Sequence, residues 1–475
     1  MSAQILLHGT LPGTETFLLA APADRDNRAF EARLLWLALL DEVLPRALLA
    51  QLGLPPLMLG SSGGGRFLVV LPDQARTEEA ARFLTRANEV LQAATSGIVR
   101  IVWSATENLG DWTVVRKRLQ DGMAESSSAP YGQPGYFEPF TPSAIPADRI
   151  PRALRDAPAI GWSFGFPALI AAEGGDYRWD LGRQAAADNI SLTRHAARNG
   201  EAIASVRELA KRSKGQKLWG ILRGEIDDLA LRLRRAQSVE EHVVLSMLYK
   251  QFLAGEIELL CSQGEYFQRV TVLRAGTADF AVCGSWDALA GFAREIERVF
   301  RIFAEENLRD VPGAEAKTFT MAITLGGADS SLGRLWENSA RDLEIARSAD
   351  KDCLYILGRV LEWKQLNDAS ELKDAIVELN EEFRGGKQFL AQLRNLYKKL
   401  ETPDRSVSHG DHERLLARTI RFQRRFARVA TRREREFQKL RSHLMKEMAG
   451  RNLRGKVKLR PEGLVALEWA RLAED

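Results

Sequence analysis

The chain has 475 residues, 45% hydrophobic and 27% charged, so three or four globular domains are expected and a disordered or fibrous protein is excluded. No run of eighteen apolar residues and no basic-then-apolar leader occurs, and the three cysteines (Cys261, Cys283, Cys353) are too scattered for a zinc cluster, so a cytoplasmic protein with no membrane contact is expected. Net charge is +4, yet residues 414–460 hold 17 Lys/Arg against 3 Asp/Glu, an excess of 14 that leaves the rest at −10 and points to an anionic partner, nucleic acid first, over a merely solvated helix face.

Residues 1–123 read as mixed α/β. QILLHGTL is strand-like, and Phe30 to Leu52 forms a helix apolar on most faces, hence buried. Pro55-Pro56 ends it. LMLGSSGGGRFLVVLP reads as strand, glycine turn, strand. A helix over 77–94 and the strand GIVRIVWSA complete the order β-α-β-β-α-β of a ferredoxin-like palm. Residues 124–205 follow as a connector, with six prolines between Pro130 and Pro151. Residues 206–366 repeat the first pattern. LWGILRGEI is a strand and 239–260 a helix. RVTVLRAGTADFAVCG is a hairpin turning at Gly276. Helix 286–307, strand TFTMAITL, helix 332–347 and strand CLYILG follow. Residues 367–475 read as a basic helical bundle. Asp368 and Glu371 have capping-box spacing. Leu372, Ile376, Leu379 and Phe383 form one apolar stripe, which Gly385-Gly386 breaks; Phe389, Leu393, Leu396 and Leu400 form the next, and the basic segment keeps its own at Leu415, Phe422, Phe426 and Val429.

The chemistry sits in two segments. In a palm, the end of the first strand and the tip of the central hairpin lie side by side. Carboxylates there can share Mg²⁺ ions that hold a nucleoside triphosphate and neutralise the leaving pyrophosphate. LRGEIDDLA (222–230) supplies Glu225, Asp227 and Asp228. The hairpin supplies only Asp279, because position 278 is alanine. Other candidates are weaker. His409 and His412 flank Asp411 in what reads as a polar loop. Ser61 to Gly65 lacks the Lys-Ser/Thr of a phosphate loop and reads as a tight hairpin. Cys283 reads as a small buried apolar residue.

KGQKLWGILRGEIDDLA (214–230) and VLRAGTADFAVCGSW (272–286) resemble the second palm of the large subunit of type III CRISPR effector complexes, whose typical forms carry DVD and GGDD there. SVEEHVVLSMLYKQFL and LEIARSADKDCLYILGRVLEW are similar to that family's intervening helix and closing stretch. GLPPLMLGSSGGGRFLVVLPD is similar to the hairpin of its first palm. The resemblance implies an α+β fold of two ferredoxin-like palms plus a C-terminal helical bundle. It also implies a turn, Gly276-Thr277-Ala278-Asp279, that in the family makes cyclic oligoadenylate from ATP. Here the second glycine is threonine, the first aspartate is alanine, and the strand acid is Glu225. Losing one such electrostatic stabiliser costs on the order of a hundredfold in rate. The expectation is therefore a silent site with no cofactor. The alternative is a residual cyclase using ATP, with one Mg²⁺ at Glu225, Asp227 and Asp279.

The family's HD nuclease and four-cysteine zinc module are expected to be absent, since no His-Asp dipeptide occurs and 124–205 has no cysteine. The implied partners are crRNA, target nucleic acid and the backbone, handle-binding and small subunits. Arg421, Arg424, Arg425, Arg428, Arg432, Arg433 and Arg435 are the candidate nucleic-acid or partner contacts.

Overall fold

The computed structural model describes residues 4–21, 27–128, 150–151, 154–182, 190, 192–311, 313–382, 394, 449–451 and 457–474. The seven arginines from 421 to 435, Phe383, His409, Asp411, His412 and the two later apolar stripes lie outside them.

The first sheet contains β1 (Ile5–Thr10), β2 (Leu59–Gly63), β3 (Arg66–Leu71) and β4 (Val102–Glu107), antiparallel in the order β2-β3-β1-β4. That is the ferredoxin-like order, produced by two crossovers through α2 (Arg28–Gln51) and α3 (Gln74–Thr95). A short helix, α1 (Thr14–Leu19), precedes α2. Helix α2 is apolar on most faces because it is buried on most faces: Trp36, Leu39, Leu40, Val43, Leu44, Ala47 and Leu48 are all sealed from solvent. Asp73 caps α3 by accepting a hydrogen bond from the Arg76 amide at 2.8 Å.

Strand alternation gives the sheet two buried faces. Ile5, Leu7, Phe67 and Val69 point to α2 and α3, while Leu6 and Leu68 meet Trp112, Val115 and Leu119 of α4 (Trp112–Ser128). The stretch read as a connector carries a three-stranded sheet among its described residues. Its strands are β5 (Ala159–Trp162), β6 (Ile170–Ala171) and β7 (Tyr177–Asp180), in the order β6-β5-β7. Trp162 stacks on Phe83 of α3 at 5.6 Å between ring centroids. A small hairpin, β8 (Arg198–Asn199) and β9 (Ala202–Ile203), leads into α5 (Val206–Lys211), which Ser205 and Glu208 start with a capping box.

The second sheet repeats the first and extends it. β10 (Leu218–Ile226), β11 (Val270–Ala275), β12 (Asp279–Ser285) and β13 (Phe319–Gly327) are joined by β14 (Cys353–Ile356) and β15 (Arg359–Glu362), in the order β11-β12-β10-β13-β14-β15. Helices α6 (Leu229–Arg234), α7 (Val239–Ser262), α8 (Trp286–Asn307) and α9 (Leu332–Ala349) connect these strands. Leu222, Ile226, Phe280 and Val282 share a core with Tyr249 and Leu253 of α7 and Phe292 and Phe300 of α8. Trp219, Ile221, Leu273, Ala281 and Cys283, on the opposite face, join the core of the first palm. The palms therefore pack sheet against helix, with α2 over the second sheet.

Helix α10 (Trp363–Glu382) corrects one expectation. It starts at Trp363, directly after β15, so Asp368 lies inside the helix and caps nothing. Leu372, Ile376 and Leu379 form its buried stripe. After a short hairpin, β16 (Ala449–Arg451) and β17 (Val457–Leu459), α11 (Pro461–Ala473) returns to pack on α10 and on the second palm. Gly215 is required there. Its φ is +66°, and a Cβ would lie 2.3 Å from the Leu472 carbonyl oxygen. No helix of the described residues is long and apolar enough to cross a membrane.

Candidate functional site

Strand pairing places the two acidic segments together. Glu225 on β10 lies directly opposite Asp279 on β12, and opposite Thr320 on β13. The hairpin tip closes through the Gly276 amide, which donates to the Asp279 carbonyl at 2.8 Å. The Ile226 amide donates to the Ala278 carbonyl, also at 2.8 Å, and ties the tip to the end of β10. A Cβ on Gly276 would sit 2.6 Å from Asp279 Oδ1, so a side chain there would push the Asp279 carboxylate aside.

Each acid has partners within the chain. Asp227 is buried, and both its oxygens accept hydrogen bonds. Thr320 Oγ1 donates to Oδ1 at 2.6 Å; Thr318 Oγ1 and the Asp352 amide donate to Oδ2 at 2.7 and 3.1 Å. Asp228, at φ +56° before α6, is paired with Lys351 Nζ at 2.6 Å. Glu225 faces Arg347 of α9 at 3.4 Å, and Asp279 faces Arg274 of β11 at 3.5 Å. Burial pushes the Glu225 carboxyl above its ordinary range; Arg347 opposes the shift, and Asp279 and Asp227 add to it. Arg223 sits between these charges with its guanidinium 4.3 Å from the centre of the Trp336 ring.

A two-metal palm centre needs carboxylates converging from strand and hairpin. Ala278 offers none, Asp227 is held by three donors, and Asp228 is turned to Lys351. Among the described residues no group of three or more His, Cys, Asp or Glu side chains is arranged to hold a metal ion. Glu225 and Asp279 remain as a facing pair, each beside an arginine. These residues do not fit a two-magnesium centre.

The glycine turn of the first palm covers this hairpin tip. A Cβ on Gly63 or Gly64 would lie 3.4 or 3.2 Å from the Thr277 side chain, and both glycines have positive φ. Beneath the contact lies a cavity of about 340 Å³ between the palms, lined by Asp41, Gly63, Gly64, Gly65, Arg274 and Gly276 among others. Asp41 Oδ2 accepts the Gly65 amide at 2.8 Å. Burial pushes its carboxyl up to about 7, against the pull of that hydrogen bond and of Arg274. Beside it, burial alone would raise the Glu42 carboxyl, but Lys250 and Arg46 hold it below the usual range. Lys250 Nζ, from α7, donates to Glu42 Oε1 at 2.5 Å and Ser62 Oγ at 2.9 Å, which joins the two palms by a buried ionic clasp.

Arg274, Arg347, Lys351, Thr318, Thr320 and Asp41 are the site members that the sequence reading missed. Lys351 and Arg347 lay within a stretch already noted for its resemblance, and Arg274 lay within the hairpin motif itself. Thr318, Thr320 and Asp41 left no mark in the local pattern.

Acids at the end of the first strand and at the tip of the central hairpin, on a ferredoxin-like sheet, define a palm-domain protein, here with two palms in tandem. Residues 218–355 match the family model of the second palm domain of Cas10/Cmr2. Its fold matches chains of the Csm1–Csm4 cassette. The crystal structure in complex with pppApA superposes with a TM-score of 0.74 at 16% identity, covering 100% of this chain and 70% of that one. The Csm1–Csm4 subcomplex of the type III-A CRISPR-Csm interference complex gives 0.74 at 15%, covering 99% and 70%. The cassette in complex with AMPPNP gives 0.66 at 16%, covering 83% of this chain, which thus spans 62% of that chain's length. A comparison with curated proteins finds no match.

Proposed function

We propose that the chain is a non-catalytic structural subunit of a type III-like, crRNA-guided effector complex. In this reading it supports assembly at the crRNA 5′-handle end and contacts small subunits and the guide–target duplex. The match of the second palm to Cas10/Cmr2 and the likeness to chains of Csm1–Csm4 assemblies support the effector setting. The non-catalytic part rests on one observation: at the place for metal-held triphosphate, one carboxylate is missing and the others are engaged by the chain's own donors and cations.

Glu225 directly opposite Asp279 favours a second reading, a residual cyclase. One experiment separates the two. The assembled complex is incubated with labelled ATP, Mg²⁺ or Mn²⁺ and target RNA. The expected result is no cyclic oligoadenylate. Product that disappears in Asp279→Ala would establish the cyclase.

A further inference from the structure

We propose that the outward face of α7 is a docking groove for a helix of another protein subunit, one whose apolar stripe is edged with lysine or arginine. The inference rests on the effector setting proposed above. Its starting point is a helix that is apolar on two sides. Inward, Leu245, Phe252, Leu253 and Ile257 are buried in the core of the second palm. Outward, Val244, Met247 and Leu259 are 62%, 45% and 60% exposed. A helix that covers a sheet ordinarily turns polar residues to solvent. Single exposed apolar residues need no explanation, but a contiguous row of them marks an interaction surface. These three fall on one face of α7 with Gln251 and Gly255, at successive spacings of three, four, four and four residues. From Val244 to Leu259 the row runs about 22 Å, enough to seat about four turns of a partner helix. Glycine inside a helix is destabilising, and a Cβ on Gly255 would meet nothing within 4 Å. Its absence leaves room for a second backbone to come close. Helix α8 supplies the other wall. Its Phe303 packs against Tyr249 and Phe252 of α7 at 6.1 and 4.6 Å between ring centroids, and Val299, one turn before it, is also only partly buried.

The charge of the rim decides the class of partner. Glu240 precedes Val244 by four residues, Glu256 precedes Leu259 by three, and Glu306 follows Phe303 by three, so each borders the groove. The one Lys or Arg of α7, Lys250, is turned away into the clasp with Glu42 and Ser62. An acidic rim repels phosphate, which disfavours nucleic acid. It also repels a second copy of itself. It attracts an apolar helix with basic edges, laid into the groove by its apolar side.

The test measures binding of the full wild-type chain to each purified protein subunit of its complex in turn. One subunit should bind, and more weakly as salt rises. Val244→Asp combined with Met247→Asp should weaken that binding about tenfold or more. Glu240→Lys combined with Glu256→Lys should weaken it too, which preserves a readout if the apolar pair folds poorly. All four positions are on the surface of α7, so both variants should melt with wild type. Ile345→Asp, at an exposed apolar position on α9, should bind as wild type does. Binding that both α7 variants leave unchanged would overturn the inference and leave the effector reading standing. Dimers of the chain alone that the apolar variant abolishes would assign the face to a second copy. RNA binding lost in that variant would assign it to nucleic acid. A lower melting temperature of the isolated chain in both variants would assign it to the chain's own basic residues 414–460. Each of these three overturns the inference. A wild-type chain that binds none of the subunits would bring down the effector reading with it.

Discussion

Both oxygens of Asp227 are bonded by donors far away in sequence: Thr318, Thr320 and the Asp352 amide lie 91, 93 and 125 residues on. The carboxylate thereby fastens the end of β10 to the starts of β13 and β14. Asp227→Asn keeps the shape but turns an NH₂ group towards groups that donate. It is expected to cost about 1–3 kcal/mol, measured as a lower urea midpoint at unchanged slope. Restoring the missing hairpin acid is a separate matter. Ala278→Asp would add a carboxylate beside acids already engaged by Arg274, Arg347 and Lys351, so the assembled complex should still make no cyclic oligoadenylate from labelled ATP. Product would mean that the missing acid alone silenced the site. Glu225, Asp227, Asp228 and Asp279 were legible because acids at a strand end and a hairpin tip form a local pattern. Their partners were not, because a hydrogen bond across 91 residues leaves no periodicity. Asp368 shows the opposite failure. Its spacing to Glu371 looked like a cap, but β15 delivers the chain into a helix that has already begun at Trp363.

The contact between β1, α4 and α7 carries a pair of histidines. His8 is held down to about 4, by burial first and then by Arg66 and His242. His242, stacked edge-on to Trp112 at 5.3 Å, is lowered by burial, with Arg116 adding to the shift and a hydrogen bond to the Leu233 carbonyl opposing it. A histidine whose pKa falls on folding binds fewer protons in the native state. Its contribution is complete above its ordinary value of 6.5 and is lost as pH falls towards 4. Stability should therefore decline between those limits, and His8→Gln should flatten the decline; urea titrations at a series of pH values measure it. The clasp on α7 acts in the same interface. Lys250→Met leaves Glu42, with a side chain only 4% exposed, with Arg46 and the Ser62 hydroxyl as its partners. Losing one hydrogen bond to a charged group costs about 1.5–3 kcal/mol, so a fall in melting temperature is expected. Of the elements that build this contact, β1 and α7 were legible, since burial imposes periodicity, whereas α4 was not and runs into the stretch read as a connector. The apolar face of α2 predicted its own burial, though not that β11 of the second palm would help to cover it.

For the molecule as a whole, charge and fold divide the work. The acids and their counter-ions are folded into the palms, while the positive excess lies in residues 414–460. Under the proposed function, replacing Arg424, Arg425, Arg428 and Arg432 with Gln should lower RNA retention or assembly of the complex. RNA content and elution on gel filtration measure it, and the salt dependence of binding should become shallower. One feature of the second sheet reaches beyond any single site. Its strands give Leu222 and Val282 to one core and Ile221, Ala281 and Cys283 to the other. A gene fragment encoding residues 206–366 alone would keep α5 and α9 on that second face but lose α2, which packs on β11, and so bare apolar surface of the sheet that recruits other chains. Such a fragment should precipitate on expression. Nascent chains meet the same hazard in reverse: the first half leaves the ribosome before the layer that must cover α2 exists.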